Sequence, residues 1–182
     1  ITATNTPRLD YSTGAEAFLL EPQSTNLIPY SEDFSQSYWN KSNVAIDFGY
    51  LSPEGNDNAY RVEHLAQYSV LRRLSTLPAG NTTLSIWLKR IDGNSNYNFY
   101  GGGSSKSITI TDEWKRYDFS FVADGTNNTF FGIQDPNPSG FGSYYIYGAQ
   151  VEQQSYATSY IPSNGSQTTR NQETCNNATP EI

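Results

Sequence analysis

The sequence contains no methionine, one histidine (His64) and one cysteine (Cys175) in 182 residues, and charged side chains make up only 16 % of it. Each scarcity excludes something. A lone cysteine closes no disulfide within the chain, and the polar stretch ETCNNATPEI around it is a poor setting for a catalytic thiol. One histidine and one distant cysteine build no zinc site unless carboxylates complete it. No G-x-S-x-G marks a nucleophile, and a hydrolytic triad needs one beside its base. No window approaches the roughly 18 apolar residues of a membrane-spanning helix. Residues 1–20 lack the basic start and apolar run of a signal peptide. With 11 basic against 18 acidic residues the net charge is −7. That leaves no basic footprint for nucleic acid, and an anionic membrane surface would repel the chain. Glycosidase chemistry needs two carboxylates at a set separation, and Asp47, Asp112, Glu113 and Asp118 are the available ones, but nothing in the sequence makes them converge. A non-enzymatic protein is expected.

What the sequence has in quantity is aromatic: 14 Tyr, 9 Phe and 3 Trp, set among Asn, Ser, Thr and Gly. This composition suits strands and turns better than helices, and no 3.6-residue apolar periodicity persists for three turns. TTLSIWLKR (82–90) alternates, with Leu84, Ile86 and Leu88 on one face and Ser85, Trp87 and Lys89 on the other. Residues 112–124 begin as a turn and become a strand with Tyr117, Phe119 and Phe121 on one face. AQYSVLRRLSTL (66–77), SITIT (107–111), TFFGIQD (129–135) and SYYIYGAQVEQ (143–153) read as further strands, the first with mixed faces and an ambiguous register. LPAGN (77–81), DGTNN (124–128) and PNPSGFG (136–142) are turns or loops. The run DGNSNYNFYGGGSSKS (92–107) reads as a flexible connection with at most a short strand at 97–100. Six or more short strands at this spacing predict an all-β fold, a β-sandwich of jelly-roll or Greek-key type. Residues 1–25 are expected to form an N-terminal arm, 26–162 the sandwich, and 163–182 a C-terminal tail continuing into or packing on another domain. Phe34 and Trp39, in the turn-rich NLIPYSEDFSQSYWNK (26–41), are expected to cover one edge of the core.

The order of segments NLIPYSEDFSQSYWNK, SPEGNDNAYRV, LPAGNTTLSIWLKR, ITDEWKRYDFSFVAD and GSYYIYGAQVEQ resembles a carbohydrate-binding-module jelly roll over roughly residues 26–153. PRLDYSTG (7–14), LLEPQSTNLIPYSEDFS (19–35) and YGAQVEQQSYATSYIPSNGSQTTRN (147–171) resemble a domain that recurs in bacteriophage tail and head appendages. Such proteins are longer on both sides, so the second resemblance implies that this chain is one piece of a larger polypeptide.

Together they imply a virion or extracellular module that binds host surface glycans, with other virion proteins and further copies of itself as partners. Two alternatives stay open: a purely structural fibre or capsid attachment module, and a binding module attached to a polysaccharide-degrading enzyme. The aromatics that would stack on sugar rings are Trp87, Tyr97, Phe99, Tyr100 and Tyr144, with Arg72 beside them; Phe141 and Trp114 are weaker candidates, Trp114 as a structural plug. The Arg72–Arg73 pair suits an acidic polysaccharide, against an overall charge that opposes one. Many such modules hold a structural Ca²⁺ between the opening motif and the last strand. Here Tyr147-Gly148-Ala149 stand where an acidic residue is expected, which leaves Glu32 and Asp33 as the oxygen donors.

Overall fold

The computed structural model describes residues 9–10, 17–18, 20–126, 129–138 and 141–173. Cys175, the PRLDYSTG segment apart from Leu9 and Asp10, most of the N-terminal arm, the end of the DGTNN turn and the middle of the PNPSGFG loop lie outside the described residues. Fourteen strands follow in order: β1 (Leu9–Asp10), β2 (Ala17–Phe18), β3 (Ser24–Asn26), β4 (Asn40–Ser42), β5 (Val44–Tyr50), β6 (Ala59–His64), β7 (Val70–Ser75), β8 (Gly80–Asp92), β9 (Asn96–Gly101), β10 (Ser104–Thr109), β11 (Lys115–Ala123), β12 (Thr129–Gln134), β13 (Ser143–Glu152) and β14 (Thr168–Arg170). Among the described residues there is no helix.

The fold is an all-β jelly-roll sandwich of two five-stranded antiparallel sheets. The front sheet runs β10-β9-β12-β7-β4 and the back sheet β11-β8-β13-β6-β5. Their inner faces share one core. Leu71, Phe99, Phe131 and Ile133 of the front sheet meet Val62, Leu84, Ile86, Leu88, Phe119 and Ile146 of the back sheet. The alternations read in β8 and β11 therefore hold, since Leu84, Ile86 and Leu88 and also Tyr117, Phe119 and Phe121 face inward.

Phe34 and Trp39 close one edge of this core, as expected. Both are buried, with ring centroids 5.1 Å apart. Trp39 meets Phe131 edge-on and Phe34 meets Tyr60 edge-on. The indole Nε1 donates to the Tyr30 carbonyl at 3.1 Å, so the polar end of the ring is satisfied as well.

Three expectations need correction. The glycine-rich stretch 92–107 is not a flexible connection but the β9–β10 hairpin, paired over six residues, with Gly102 and Gly103 supplying positive φ at its turn. Residues 40–64, for which no strand is predicted, form β4, β5 and β6. The boundaries at 25/26 and 162/163 mark no break, because β3 pairs with β14 across them. Residues 20–31 and 156–173 together form a strap. Its 27–31 stretch runs along β13, with Leu27 N donating to the Val151 carbonyl, Ala149 N to the Ser31 carbonyl and Ile28 in the core. Residues 158–161 lie over the outer face of the back sheet against Arg116 and Gln150. Glu21 and Arg170 form an ion pair at 2.7 Å with both side chains nearly buried, and the Glu152 carboxylate accepts from Ser24 Oγ, Thr158 N and Thr158 Oγ1. Gln150 accepts from Ile161 N and donates to the Ser159 carbonyl.

Candidate functional site

The two outer faces of the sandwich differ. The strap covers the middle of the back face, where Thr83, Ser85, Gln150 and Glu152 are buried, and leaves Asp47, Asp118 and Val122 exposed, while no described strand covers the front face. Register places the residues of that face in rows, because direct partners on neighbouring strands point the same way. One row is Asn40, Arg72, Gly132, Tyr100 and Ser105; the next is Ser42, Val70, Gln134, Asn98 and Ser107; a third begins with Leu74 opposite Phe130.

Polar groups on the face bond to one another across strands. Tyr100 Oη donates to Gln134 Oε1 at 2.8 Å, Ser107 Oγ to Asn98 Oδ1 at 2.8 Å and Thr109 Oγ1 to Asn96 Oδ1 at 2.8 Å. Gly132 sits in the middle at φ 156°, and a Cβ there would lie 2.3 Å from the Leu71 carbonyl oxygen. Only glycine fits, and the face stays open between Arg72 and Tyr100. Phe130 is 41 % exposed, with the Arg72 guanidinium 4.5 Å above its ring. Beside these residues a groove of about 600 Å³ runs along the β4–β7 edge.

Of the side chains proposed from sequence, Arg72 and Tyr100 lie on this face. Tyr97, Phe99 and Tyr144 do not, and their assignment to the site is corrected: each is fully buried in the core, so none presents a ring to a ligand. Trp87 is on the opposite side of the molecule. It is half-buried on the back sheet near the strap, where a Cβ on Gly148 would lie 3.3 Å from Trp87 Cδ1 and 3.2 Å from Tyr160 Cζ.

Glu32 and Asp33 are engaged by different protein donors. Glu32 Oε1 accepts from the Tyr147 and Tyr160 hydroxyls. Asp33 accepts from Ser35, Gln36 and Tyr60. Burial alone would raise the Asp33 carboxyl, but these hydrogen bonds outweigh it and hold the group at about 2. Both carboxylates are thus engaged by protein donors, and among the described residues no group of three or more His, Cys, Asp or Glu side chains is placed to hold a metal ion.

Phe130, Gln134 and Asn98 were missed, although one signal pointed to them. If Phe131 and Ile133 of TFFGIQ face the core, strict alternation turns Phe130, Gly132 and Gln134 outward. A second groove, of about 500 Å³, lies at the strap between β3, β14 and the end of β13. It is lined by Gln, Ser and Thr side chains with Leu27, and holds neither an aromatic ring nor a charge.

One group of polar residues has the composition of a catalytic triad without its access. His64 Nδ1 lies 2.6 Å from Ser69 Oγ, and its Nε2 lies 3.1 Å from Tyr144 Oη. Ser69 and Asp135 are fully buried and His64 is 2 % exposed, so no substrate reaches them. Burial pushes the His64 imidazole down to about 4 against the opposing pull of Asp135, with Tyr97 and Tyr144 also facing it. The folded state thus holds His64 neutral, while the unfolded chain takes up its proton below about 6.5. Stability is expected to fall by about 3 kcal/mol as the pH drops from 6.5 to 4, and His64 takes nothing further below that. Urea unfolding at pH 7 and pH 4 checks this against His64→Gln, in which the difference should shrink. A wild-type stability equal at both values would contradict it.

No protein-family model and no curated protein matches the sequence. Solved structures do resemble the fold. The CBM22-1 xylan-binding domain from Paenibacillus barcinonensis Xyn10C aligns with a TM-score of 0.51 at 10 % identity, covering 74 % of this chain and 94 % of that one. The C-terminal family 22 carbohydrate-binding module of Clostridium thermocellum Xyn10B gives 0.51 at 12 % identity, covering 73 % and 96 %. The family 11 carbohydrate-binding module from Clostridium thermocellum, solved with a β-1,3-1,4-mixed-linked tetrasaccharide, gives 0.50 at 12 % identity, covering 72 % and 95 %. At these identities the likeness is one of fold: the chain has the jelly roll of a carbohydrate-binding module.

Proposed function

We propose that this domain binds polysaccharide, without catalysis, through the outer face of its front sheet. The reading rests on one observation: that open face combines an aromatic platform (Tyr100, Phe130) with amides, hydroxyls and a guanidinium aimed the same way. Sugar rings offer apolar C–H faces to such rings, worth about 0.5–1.5 kcal/mol beyond area burial, and their hydroxyls match the Asn98, Gln134 and Ser107 row. The sandwich supplies the rigidity that keeps these groups in register. The fold shared with modules that carry xylan-binding or tetrasaccharide-bound names supports the same reading. In its fuller form the domain is a virion or extracellular module of a bacteriophage appendage, joined to other virion proteins and to copies of itself, and the polysaccharide belongs to the host surface. The signature segments quoted above support that setting.

Affinity electrophoresis against bacterial surface polysaccharides tests the reading. Tyr100→Ala is expected to weaken retention about tenfold with the fold intact, whereas Trp87→Ala leaves retention unchanged. Retention of the folded domain by none of them would sink the proposal. The alternative of a purely structural module is favoured by one observation, that the signature residues Glu21, Asn26, Thr158 and Arg170 are spent on the strap. Sedimentation of the purified domain as a monomer unattached to any particle would count against it.

A further inference from the structure

The charges are distributed unevenly. The five strands of the front sheet carry four basic residues, Lys41, Arg72, Arg73 and Lys106, and no acidic one. The five strands of the back sheet carry five of each sign. Of these four, register puts Arg72 alone on the open outer face: Lys41 lies opposite Leu71, Arg73 opposite Phe131 and Lys106 opposite Phe99, all core residues, so those three leave the sheet along its edges.

Three of those four cations line the groove on the β4–β7 edge, together with Tyr38, Trp39 and Phe130, and no carboxylate lines it. Their donors differ in what is left for a ligand. Lys41 Nζ already gives its three protons to the carbonyls of Phe34, Ser35 and Gln36 at 3.0–3.1 Å, and so contributes potential only. Arg73 donates from Nη1 to the Tyr38 carbonyl and lies 4.3 Å above the Tyr38 ring, while its Nε is buried with no acceptor among the described residues. Arg72 has no side-chain hydrogen bond or ion pair among the described residues. It is held only by stacking on Phe130, at the centre of the open row between Asn40 and Gly132. A guanidinium fixed on an aromatic face, with its fork unspent, is shaped for a planar carboxylate. Most acidic residues elsewhere are screened beyond about 8 Å at physiological salt; the Asp33 carboxylate does act on Lys41, which leaves Arg72 as the uncompensated charge at the open face.

We infer that the polysaccharide is acidic, with a sugar carboxylate seated on Arg72 between the groove and the Tyr100 platform. This rests on the glycan-binding reading and names its substrate class. The test is a glycan array of neutral and carboxylated bacterial polysaccharides. It is followed by calorimetry on the tightest ligand, on its carboxyl-reduced derivative, and on the Arg72→Gln and Arg72→Lys variants at low and high NaCl. The array should select carboxylated polymers. Carboxyl reduction and Arg72→Gln should each weaken binding about tenfold, Arg72→Lys less, and added salt should weaken the wild type more than Arg72→Gln. A neutral polymer as the tightest ligand, an equal affinity for the carboxyl-reduced form, or an unaffected Arg72→Gln would overturn the acidic preference and leave glycan binding standing. Binding to no polysaccharide at all would overturn both.

Discussion

Replacing Trp39 with alanine is expected to destabilise the domain by about 3–5 kcal/mol, as truncation of a fully enclosed large aromatic does. The indole is 2 % exposed and touches three rings, with centroids 5.1 Å away at Phe34, 5.4 Å at Tyr38 and 6.4 Å at Phe131. It joins the turn-rich entry segment to the front sheet, since Phe131 belongs to β12. The cavity left by alanine has rigid walls on the sheet side, so little of the loss is recovered by collapse. Truncation also strands the Tyr30 carbonyl, which now accepts from Nε1. Phe34→Ala, at the same edge and against Tyr60 of the back sheet, belongs in the same range. Equilibrium urea unfolding measures both, and a loss below about 1 kcal/mol would show that the edge is not closed as described.

The second large effect falls on a small polar residue. Asn26 is fully buried, and its amide serves four backbone groups. Nδ2 donates to the carbonyls of Ile161 at 2.9 Å and Ala149 at 3.2 Å, and Oδ1 accepts from the amides of Ile28 at 3.1 Å and Val151 at 3.2 Å. One side chain thereby ties the entry strand to β13 and to the returning chain of the strap. Alanine leaves all four without partners in a dry setting, where each buried unsatisfied group costs about 1–3 kcal/mol. Relaxation and water recover part of that, so the expected net loss is on the order of 4 kcal/mol. Asn26→Asp should be no rescue, because a carboxylate offers no donor to the two carbonyls. Thermal or urea unfolding of both variants checks this; a wild-type midpoint in Asn26→Ala would contradict it.

These two residues show which parts of the molecule were legible in sequence. Trp39 was readable as core because large aromatics in a polar turn have little else to do, and the clean alternations of β8 and β11 announced themselves. The strands at 40–64 were hidden for identifiable reasons. β5 is half-exposed along its length and breaks register between Phe48 and Tyr50, with Gly49 at φ 103°, so no period survives to be read. β6 does alternate, but its inward set ends on a histidine that only tertiary burial makes core. The hairpin at 92–107 was masked by its glycines, two of which are needed for the turn while Gly101 is needed because Phe121 packs against it.

The candidate site was half legible. Arg72 and Tyr100 were singled out, yet their neighbours Tyr97 and Phe99 were grouped with them, since a stretch read as a loop hides the alternation that separates inward rings from outward ones. Trp87 shares the outward face of its strand, but only the strap, assembled from residues more than a hundred positions apart, shows that Gly148 and Tyr160 pack close to its ring. The segments that resemble appendage proteins are explained in the same way. Within those segments Glu21, Asn26, Thr158 and Arg170 are parts of the strap, so in this chain they serve to close the sandwich.

The most direct measurement of where ligand binds is a ¹⁵N-resolved NMR titration of the domain with a retained polysaccharide or its oligosaccharide. The structure predicts shifts concentrated on the amides of β7, β9 and β12, with Arg72, Tyr100, Phe130 and Gly132 foremost and the residues around Trp87 and the strap silent. Shifts centred on Trp87, Tyr160 and the back sheet, with the front face silent, would contradict it.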